Sequence, residues 1–498
     1  MRSLLKMIGA VLLSVVLVAA VEGALRLGGF EARIAGGGDP VLNPLPLFRA
    51  ATGPDGTARM ERHDAAFAAF RSDKPANGFR VFVIGDSSAY GYPFGPEFAF
   101  SRFLQERLAA AMPDRTVEVV NAAMNGVASW HARAVLEEIA RYRPDVIIVQ
   151  VGHGDWITPE PAAVNPMLRA AAQLRFYQLA VVAAQKWQRW WQGGPLSVER
   201  IRSRAEPYGR ARDRARGTET LTAQERERII TRFRDNLRAI VAAGQAAGAT
   251  VILDGLAQNL SDFPPGASRH RHDLSEAERQ RWREAIRRAD ERLRAQDWQG
   301  ALTALGDAER IDAEPAILHY LRGLCLQEVG DYPAAAAEFQ IASDRDGAPL
   351  GALSVFDEVL RAVAQDSGAQ FVDVAAALHR SSPNGLVGYD VFFDYVHPSI
   401  AGHATISRVL AEAMGVSGDD GHVSDPATLT AADRELQRKA YAADTLLYLQ
   451  LGWYDRAIAE LNGASQQYPE LVGVRELVEK LKVDDPVKPW DDFPASPE

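Results

Sequence analysis

The stretch Val81–Tyr92, VFVIGDSSAYGY, decides how the rest of the chain is organised. Its first four residues are apolar and predict a short buried strand, and the Gly-Asp-Ser that follows predicts a tight turn. Apolar residues at three- and four-residue spacing then predict a helix over 98–112. A serine between a strand and a helix lies at the carboxyl edge of the sheet, where open α/β folds place their chemistry. Ser87 is therefore a candidate nucleophile, although Gly-Asp-Ser also forms ordinary turns.

Strand and helix patterns alternate through the rest of the chain. Strands are predicted at residues 80–84, 117–121, 145–151, 250–254 and 370–374. Helices are predicted between them at 98–112, 130–141, 226–247 and 354–367. This alternation is typical of a mostly parallel sheet with helices on both faces, and five such strands predict a flavodoxin-like three-layer sandwich of the α/β class.

Composition excludes several classes of function. The chain has 498 residues and a formal net charge of -10, so nothing indicates a nucleic-acid partner. A single cysteine, Cys325, permits no internal disulfide and no cysteine-built metal site. His270 and His272 stand on a loop rich in Pro and Arg and are expected to be surface residues rather than metal ligands. We predict neither a metal nor another cofactor.

The N-terminus predicts export. Arg2 and Lys6 precede an uncharged apolar stretch over 7–21, which is shorter than the ~20 residues of a usual membrane span. Residues 1–27 are therefore predicted to be either an uncleaved membrane anchor or a cleaved signal peptide, and the basic residues favour a short cytoplasmic tail. Both alternatives place the body in the cell envelope, on the periplasmic side of the inner membrane or secreted. Residues 28–77 are predicted to be a linker with peripheral structure.

Two insertions interrupt the sandwich. The first, over 157–222, carries Trp187, Trp190 and Trp191 beside basic residues, which indicates either a membrane-interface helix or a helix packed over the sheet. The second, over 281–346, contains a repeat: Asp297-Trp298 recurs as Asp331-Tyr332, 34 residues later. That period resembles the tetratricopeptide repeat, and a further copy is predicted over 434–481. These helices are expected either to bind a protein partner or to buttress the body.

A second chemical motif stands near the end of the sandwich. Asp394 and His397 are three residues apart, so they can lie on the same side of one turn. A carboxylate that orients an imidazole, which in turn faces a serine, activates an otherwise weak hydroxyl nucleophile. Alone, Asp-x-x-His is also common around structural histidines, but together with Ser87 it favours a catalytic site.

At this point the chain resembles the SGNH, or GDSL-type, hydrolase family. Four blocks carry the resemblance in the right order: Gly85-Asp86-Ser87, Asn121-Ala122-Ala123-Met124-Asn125-Gly126, Gly152-His153-Gly154-Asp155 and Asp394-Tyr395-Val396-His397. The resemblance implies a hydrolase domain over 78–280 and 347–415, with Ser87 as nucleophile, His397 as general base and Asp394 as its partner. It also implies that backbone amides of Ser87 and Gly126 bind the oxyanion. The helical insertions suggest an exported bacterial branch of the family.

One block departs from the family pattern. The family has asparagine where this chain has Gly154, which offers the oxyanion only a backbone N–H. Losing one such donor costs ~100- to 1,000-fold in rate. His153 is expected to pack beside the site, with a role as a substitute donor as the alternative.

The sequence thus predicts a serine esterase or acyl hydrolase, or an O-acyltransferase, acting on an acylated small molecule, glycan or lipid of the cell envelope. The alternative is an attenuated scaffold of the same fold that binds envelope partners through its tetratricopeptide-like helices.

Overall fold

Most of the described residues form one α/β body with helices inserted into it. The computed structural model describes residues 18–28, 47–62, 69–157 and 221–417, together with scattered residues between 174 and 183 and Glu476 and Glu479. The predicted C-terminal repeat and most of the first insertion lie outside the described residues, as do residues 1–17 of the predicted anchor. Residues 18–27 are helical, and within the described ranges no helix is both long and apolar enough to cross a membrane.

A five-stranded parallel sheet forms the centre of the body. Its strands are β4 (Gly78–Gly85), β5 (Thr116–Asn121), β6 (Val146–Gln150), β7 (Thr250–Asp254) and β8 (Gln370–Val372). They lie in the order β5-β4-β6-β7-β8, and every neighbouring pair is parallel. This order is the flavodoxin-like one, with the topological switch point between β4 and β6. The predicted fold class of the body is confirmed.

Helices cover both faces of this sheet, because the strands are apolar on both sides. The helices of the body are α1 (Ser87–Tyr90), α2 (Phe100–Ala111), α3 (Ser129–Ile139), α4 (Ala223–Ala246), α9 (Ser354–Ser367), α10 (Val374–Ser381) and α11 (Ile400–Ala413). One core lies against α3, α4 and α9, and includes Phe82, Phe233 and Phe356. The other lies against α2, α10 and α11, and includes Phe100 and Phe392.

The segment predicted as a linker holds a small antiparallel sheet. Its strands are β1 (Phe48–Thr52), β2 (Ala58–Arg62) and β3 (Phe70–Arg71), in the order β1-β2-β3. Phe48 and Phe70 are buried against Phe82 of β4, with ring centroids 6.1 and 5.3 Å from its own. Strands this short carry too little periodicity to be recognised, and the packing of their aromatic rings on the body stabilises them.

The second insertion consists of four helices joined by short turns. They are α5 (Glu276–Arg294), α6 (Trp298–Ile311), α7 (Ala316–Glu328) and α8 (Tyr332–Asp344). It begins at Glu276, five residues before the predicted boundary, because Ser275 and Glu278 form a capping box. The repeated aspartates Asp297 and Asp331 cap α6 and α8, accepting from the amides of Gly300 and Ala334. The assignment to tetratricopeptide repeats stays a prediction.

Candidate active site

Ser87 stands at the carboxyl end of β4, where the strand turns directly into α1. Asp86 is the N-cap of that helix, and its Oδ1 accepts a hydrogen bond of 3.1 Å from the amide of Ser88. Because a capping side chain satisfies an amide that the first turn leaves without a partner, the turn is well determined. Ser87 is the first helical residue and remains partly accessible.

Asp86 also joins the Ser87 turn to the loop after β6. Its Oδ2 accepts from the amides of Gly152 and His153, at 3.3 and 3.1 Å. Asp86 is buried, so these bonds are shielded from water. The two loops at the topological switch point are thereby held together by a single carboxylate, a role that the sequence does not reveal.

The structure brings Ser87, His397 and Asp394 into one line of contacts. His397 Nε2 lies 2.7 Å from Ser87 Oγ, and His397 Nδ1 lies 2.6 Å from Asp394 Oδ2. Asp394 Oδ1 accepts from the amides of Val396 and His397, each at 2.9 Å. Both carboxylate oxygens of Asp394 are therefore occupied, and the imidazole is held with Nε2 toward the hydroxyl.

The loop that carries His397 is fixed on several sides. Ser88 Oγ donates to the carbonyl of Val396 at 3.1 Å, and Asn259 Nδ2 donates to the carbonyl of Asp394 at 3.2 Å. The rings of Tyr92 and Tyr395 lie against the imidazole of His397, with centroids at 4.6 and 5.7 Å. Only 5% of His397 is exposed, so these contacts restrict its motion.

Gly126, the predicted oxyanion donor, stands in the loop after β5. Its φ of +68° lies in the left-handed region, which glycine adopts without a steric penalty. Arg62 of β2 braces the start of this loop, donating from Nη1 to the carbonyls of Asn121 and Ala123 at 2.9 and 2.7 Å. Sequence reasoning missed Arg62, because nothing in the 28–77 segment links it to a loop about 60 residues away.

Gly154 lies where the chain has no room for a side chain. A Cβ atom added at this position would stand 1.9 Å from the carbonyl oxygen of Val127, a backbone atom. The loops after β5 and β6 therefore meet at Gly154 through their backbones. The family's asparagine cannot simply be restored here without moving one of the two loops.

Asp155, the last residue of the same block, is hydrogen-bonded to the first residue of α3, which follows the loop after β5. Its carboxylate accepts from the amide and the hydroxyl of Ser129, at 2.9 and 2.6 Å, and Ser129 Oγ in turn accepts from Asn236 at 2.9 Å. Burial raises the pKa of Asp155 to about 6, although the hydrogen bonds from Ser129 oppose the shift. Asp155 thus anchors the first turn of α3.

His153 is buried beside these groups and retains 4% exposure. Its Nδ1 lies 3.1 Å from the amide nitrogen of Ala352, which donates to it. Burial lowers the pKa of His153, and the nearby His397 lowers it further, while Asp86 and Asp394 act in the opposite direction. The imidazole is therefore neutral, and a neutral imidazole that accepts at Nδ1 carries its proton on Nε2.

A buried carboxyl group at the end of β7 makes stability depend on pH. Asp254 is buried, and burial raises its pKa well above the ordinary 3.8, with Asp357 and Asp373 adding to the effect. Its Oδ2 accepts from Gln150 Nε2 at 3.0 Å. The neutral acid is thus the favoured form in the folded chain.

Asp254→Asn is therefore expected to be more stable than the wild type at neutral pH. The unfolded chain loses this proton near pH 3.8, whereas the folded chain keeps it to higher pH. Between the two pKa values the folded chain binds more protons, so wild-type stability falls as pH rises, by about 1.4 kcal/mol per unit. Urea unfolding of both proteins between pH 5 and 8 measures the gap. A gap that is constant across this range would contradict a raised pKa.

Of the two histidines on the loop at 270–272, His272 is exposed as expected, whereas His270 has a structural role. His270, expected at the surface, is buried: its Nδ1 lies 2.7 Å from Asp312 Oδ2 and its ring packs on Trp282. The loop of His270 is buried because the inserted helices pack over it. The sequence around His270 does not indicate this packing. Among the described residues, no group of three or more His, Cys, Asp or Glu side chains is placed to hold a metal ion.

Comparison with known proteins finds a family model that matches part of the chain. Residues 83–319 match the model of the GDSL-like Lipase/Acylhydrolase family, a match that begins in β4 and ends in α7. The matched range contains Ser87, Gly126 and the block around Gly154, and it stops before Asp394 and His397. No curated protein matches the sequence.

Several solved structures are similar to this chain, with low sequence identity and low TM-scores. LAE5, an alpha/beta hydrolase enzyme from the metagenome of Lake Arreo, Spain, is 13% identical with a TM-score of 0.32, covering 68% of this chain and 97% of its own. Axe2, an acetylxylan esterase from Geobacillus stearothermophilus, is 13% identical with a TM-score of 0.31, covering 70% and 97%. Similarity at this level carries no conclusion about the substrate of this chain. From the family match, the chain carries a domain of the GDSL-like lipase/acylhydrolase family and is a hydrolase that acts on ester bonds.

Proposed function

We propose that the chain cleaves an ester through Ser87, His397 and Asp394. The observation that carries this proposal is the unbroken series of contacts from the Asp394 carboxylate through the His397 imidazole to the Ser87 hydroxyl, at 2.6 and 2.7 Å. A serine hydroxyl is a weak nucleophile until a positioned base takes its proton, and this geometry provides that base.

The reaction follows from these positions. His397 Nε2 takes the proton of Ser87 as Oγ bonds to the ester carbonyl carbon, and the carbonyl oxygen becomes an oxyanion bound by the backbone amides of Ser87 and Gly126. The intermediate collapses, the carbon–oxygen bond to the alcohol breaks, and His397 returns the proton to that alcohol. Water, or a second hydroxyl in a transfer reaction, then attacks the acyl-serine with His397 again as base, which releases the acid or a new ester.

For the acyl part of the substrate we propose a cleft between the body and the inserted helices. Tyr320 and Phe339 of the insertion line one side of it, and Phe263 and Tyr395 of the body line the other. The ring of Tyr395 contacts both Phe263 and His397, with centroids at 5.4 and 5.7 Å, so this one side chain links the cleft to the imidazole.

The chemistry of this cleft favours an apolar occupant. Gln258 donates to Ser343 Oγ at 2.5 Å, and the hydroxyl of Tyr320 donates to the carbonyl of Ser261 at 3.0 Å, so these polar groups already have protein partners. Aromatic rings and proline remain to contact a ligand. An acyl chain gains from burial on such a surface, whereas sugar hydroxyls would lose their hydration there. An envelope lipid or an acylated envelope glycan is the substrate that the N-terminal sequence favours.

Peptide mapping tests the catalytic proposal. The full-length chain, treated with a fluorophosphonate probe and digested, is expected to carry the adduct on the peptide containing Ser87 and to hydrolyse p-nitrophenyl acetate. Heat-unfolded protein is the control, because the reactivity depends on His397. An adduct on a different serine, or no adduct together with no turnover, would overturn the assignment.

A second candidate function rests on Gly154. Because the family's amide donor is missing there, the domain would serve as an attenuated scaffold that binds envelope partners through its inserted helices. A folded protein that the probe does not label, and that retains such a partner, is the outcome this candidate requires.

A further inference from the structure

The loop after β6 has Gly154 where the family has a side-chain oxyanion donor. The same loop carries a polar side chain, His153, beside the site. Gly154 has no side chain, and Val127 leaves no space for one. The residue before it, His153, is linked by its own amide to Asp86, the residue immediately before Ser87. His153 is therefore attached to the turn that carries the nucleophile.

The tautomer of His153 is determined by its surroundings. The amide of Ala352 donates to Nδ1 at 3.1 Å, so Nδ1 is an acceptor and Nε2 bears the hydrogen. No described residue accepts a hydrogen bond from Nε2, and Nε2 is not among the fully buried unpartnered atoms, so it keeps some accessible surface although the residue as a whole is only 4% exposed. An N–H group that has no protein partner and keeps accessible surface can donate to a ligand or to water.

The charges around His153 show that it shares the environment of the catalytic groups. Asp86, His397 and Asp394 are the three charged residues that act on its pKa, and burial keeps the ring neutral. A neutral N–H donor suits an oxyanion next to His397, because His397 becomes positively charged during the reaction and a second imidazolium would repel it.

We propose that His153 Nε2–H is an oxyanion donor of this enzyme and replaces the side-chain amide that Gly154 lacks. This inference rests on the proposed function. The imidazole donates to the developing oxyanion from the tautomer that Ala352 selects, alongside the backbone amides of Ser87 and Gly126. Its contribution arises in the transition state, so it affects kcat more than KM.

Two substitutions separate this role from a purely structural one. In His153→Asn, the side-chain oxygen can occupy the place of Nδ1 and still accept from Ala352, while nothing remains at the place of Nε2. In His153→Gln, an amide N–H can occupy the place of Nε2, while the acceptor for Ala352 is lost. We expect kcat to fall 100- to 1,000-fold in His153→Asn with KM changed less than threefold, and to fall much less in His153→Gln. The reverse order would assign His153 a structural role and overturn the proposal.

His403 provides the matched control. It is also buried, and the amide of Phe100 donates to its Nδ1 at 3.3 Å. His403→Asn is therefore expected to keep kcat within about twofold. If wild-type protein is not labelled at Ser87, the proposed function fails; if it is labelled and turns over ester while His153→Asn is unimpaired, only the inference about His153 fails.

A measurement on the wild-type chain covers the case in which these variants do not fold. A trifluoromethyl ketone adds to an activated serine and forms a stable oxyanion. In protein labelled with ¹⁵N-histidine, the Nε2 proton resonance of His153 is expected to shift downfield when the adduct forms. A resonance that does not move on formation of the adduct would overturn the proposal.

Discussion

Asp394→Asn is expected to lower kcat about 10⁴-fold while the protein stays folded. Asp394 Oδ1 accepts from the amides of Val396 and His397, so the asparagine oxygen must take that place to keep both bonds. Its NH₂ group then occupies the position of Oδ2, 2.6 Å from His397 Nδ1. Two donors cannot face each other, so the imidazole moves its proton to Nε2 and can no longer take one from Ser87.

Steady-state kinetics and thermal unfolding of the same preparation test this expectation. The chain contains a matched control in the pair His270 and Asp312, also buried, with Nδ1 and Oδ2 2.7 Å apart. Asp312→Asn makes the same chemical change away from Ser87, so it is expected to lower stability and leave kcat unchanged. Full activity of Asp394→Asn would show that the carboxylate does not select the tautomer of His397.

Gly154→Asn is expected to destroy activity, although the family pattern implies that asparagine there would raise it. The added Cβ would lie 1.9 Å from the carbonyl oxygen of Val127, and two backbone segments must separate to relieve the clash. Overpacking of this kind costs about 1–3 kcal/mol, and more where the neighbour is rigid backbone. The shift also moves the amides of Gly152 and His153 away from Asp86, which disturbs the Ser87 turn.

Gly154→Ala isolates the steric part of this effect and is expected to lower the melting temperature and kcat together. Gly306 in α6 is the control, since a Cβ there would meet only Arg310 Nη1, at 4.0 Å. Gly306→Ala is expected to raise stability by roughly 0.5–1 kcal/mol, as alanine does in a helix interior. A stable and more active Gly154→Asn would mean that the two loops are not packed as the structure has them.

The order of secondary structure could be predicted because each signal is local. Four apolar residues before Gly85 and the strand pattern at 250–254 mark buried strands, and the strand alternation implies a parallel sheet. The repeat at Asp297 and Asp331 is equally local, because each aspartate caps the helix that begins next to it. Patterns of this kind can be recognised from the sequence without knowledge of tertiary contacts.

The short strands β1 to β3 and the position of His270 could not be predicted in this way. The strands are stabilised by Phe48 and Phe70 against Phe82. His270 packs on Trp282 of α5 and contacts Asp312, 42 residues further along the chain. Arg62 reaches the loop after β5 for a similar reason. In each case the interaction joins segments whose separation along the chain hides it.

The sequence alone predicts the sheet, the edge of that sheet at which Ser87 lies, and the residues that resemble a catalytic triad. The folded structure adds how those residues meet: the distances from Asp394 through His397 to Ser87, the backbone contact that excludes a side chain at Gly154, and the tautomer of His153. The physical reason is the distance along the chain over which each interaction acts. Hydrophobic periodicity and capping act within one element, whereas hydrogen-bond partners and steric limits depend on loops that folding alone brings together.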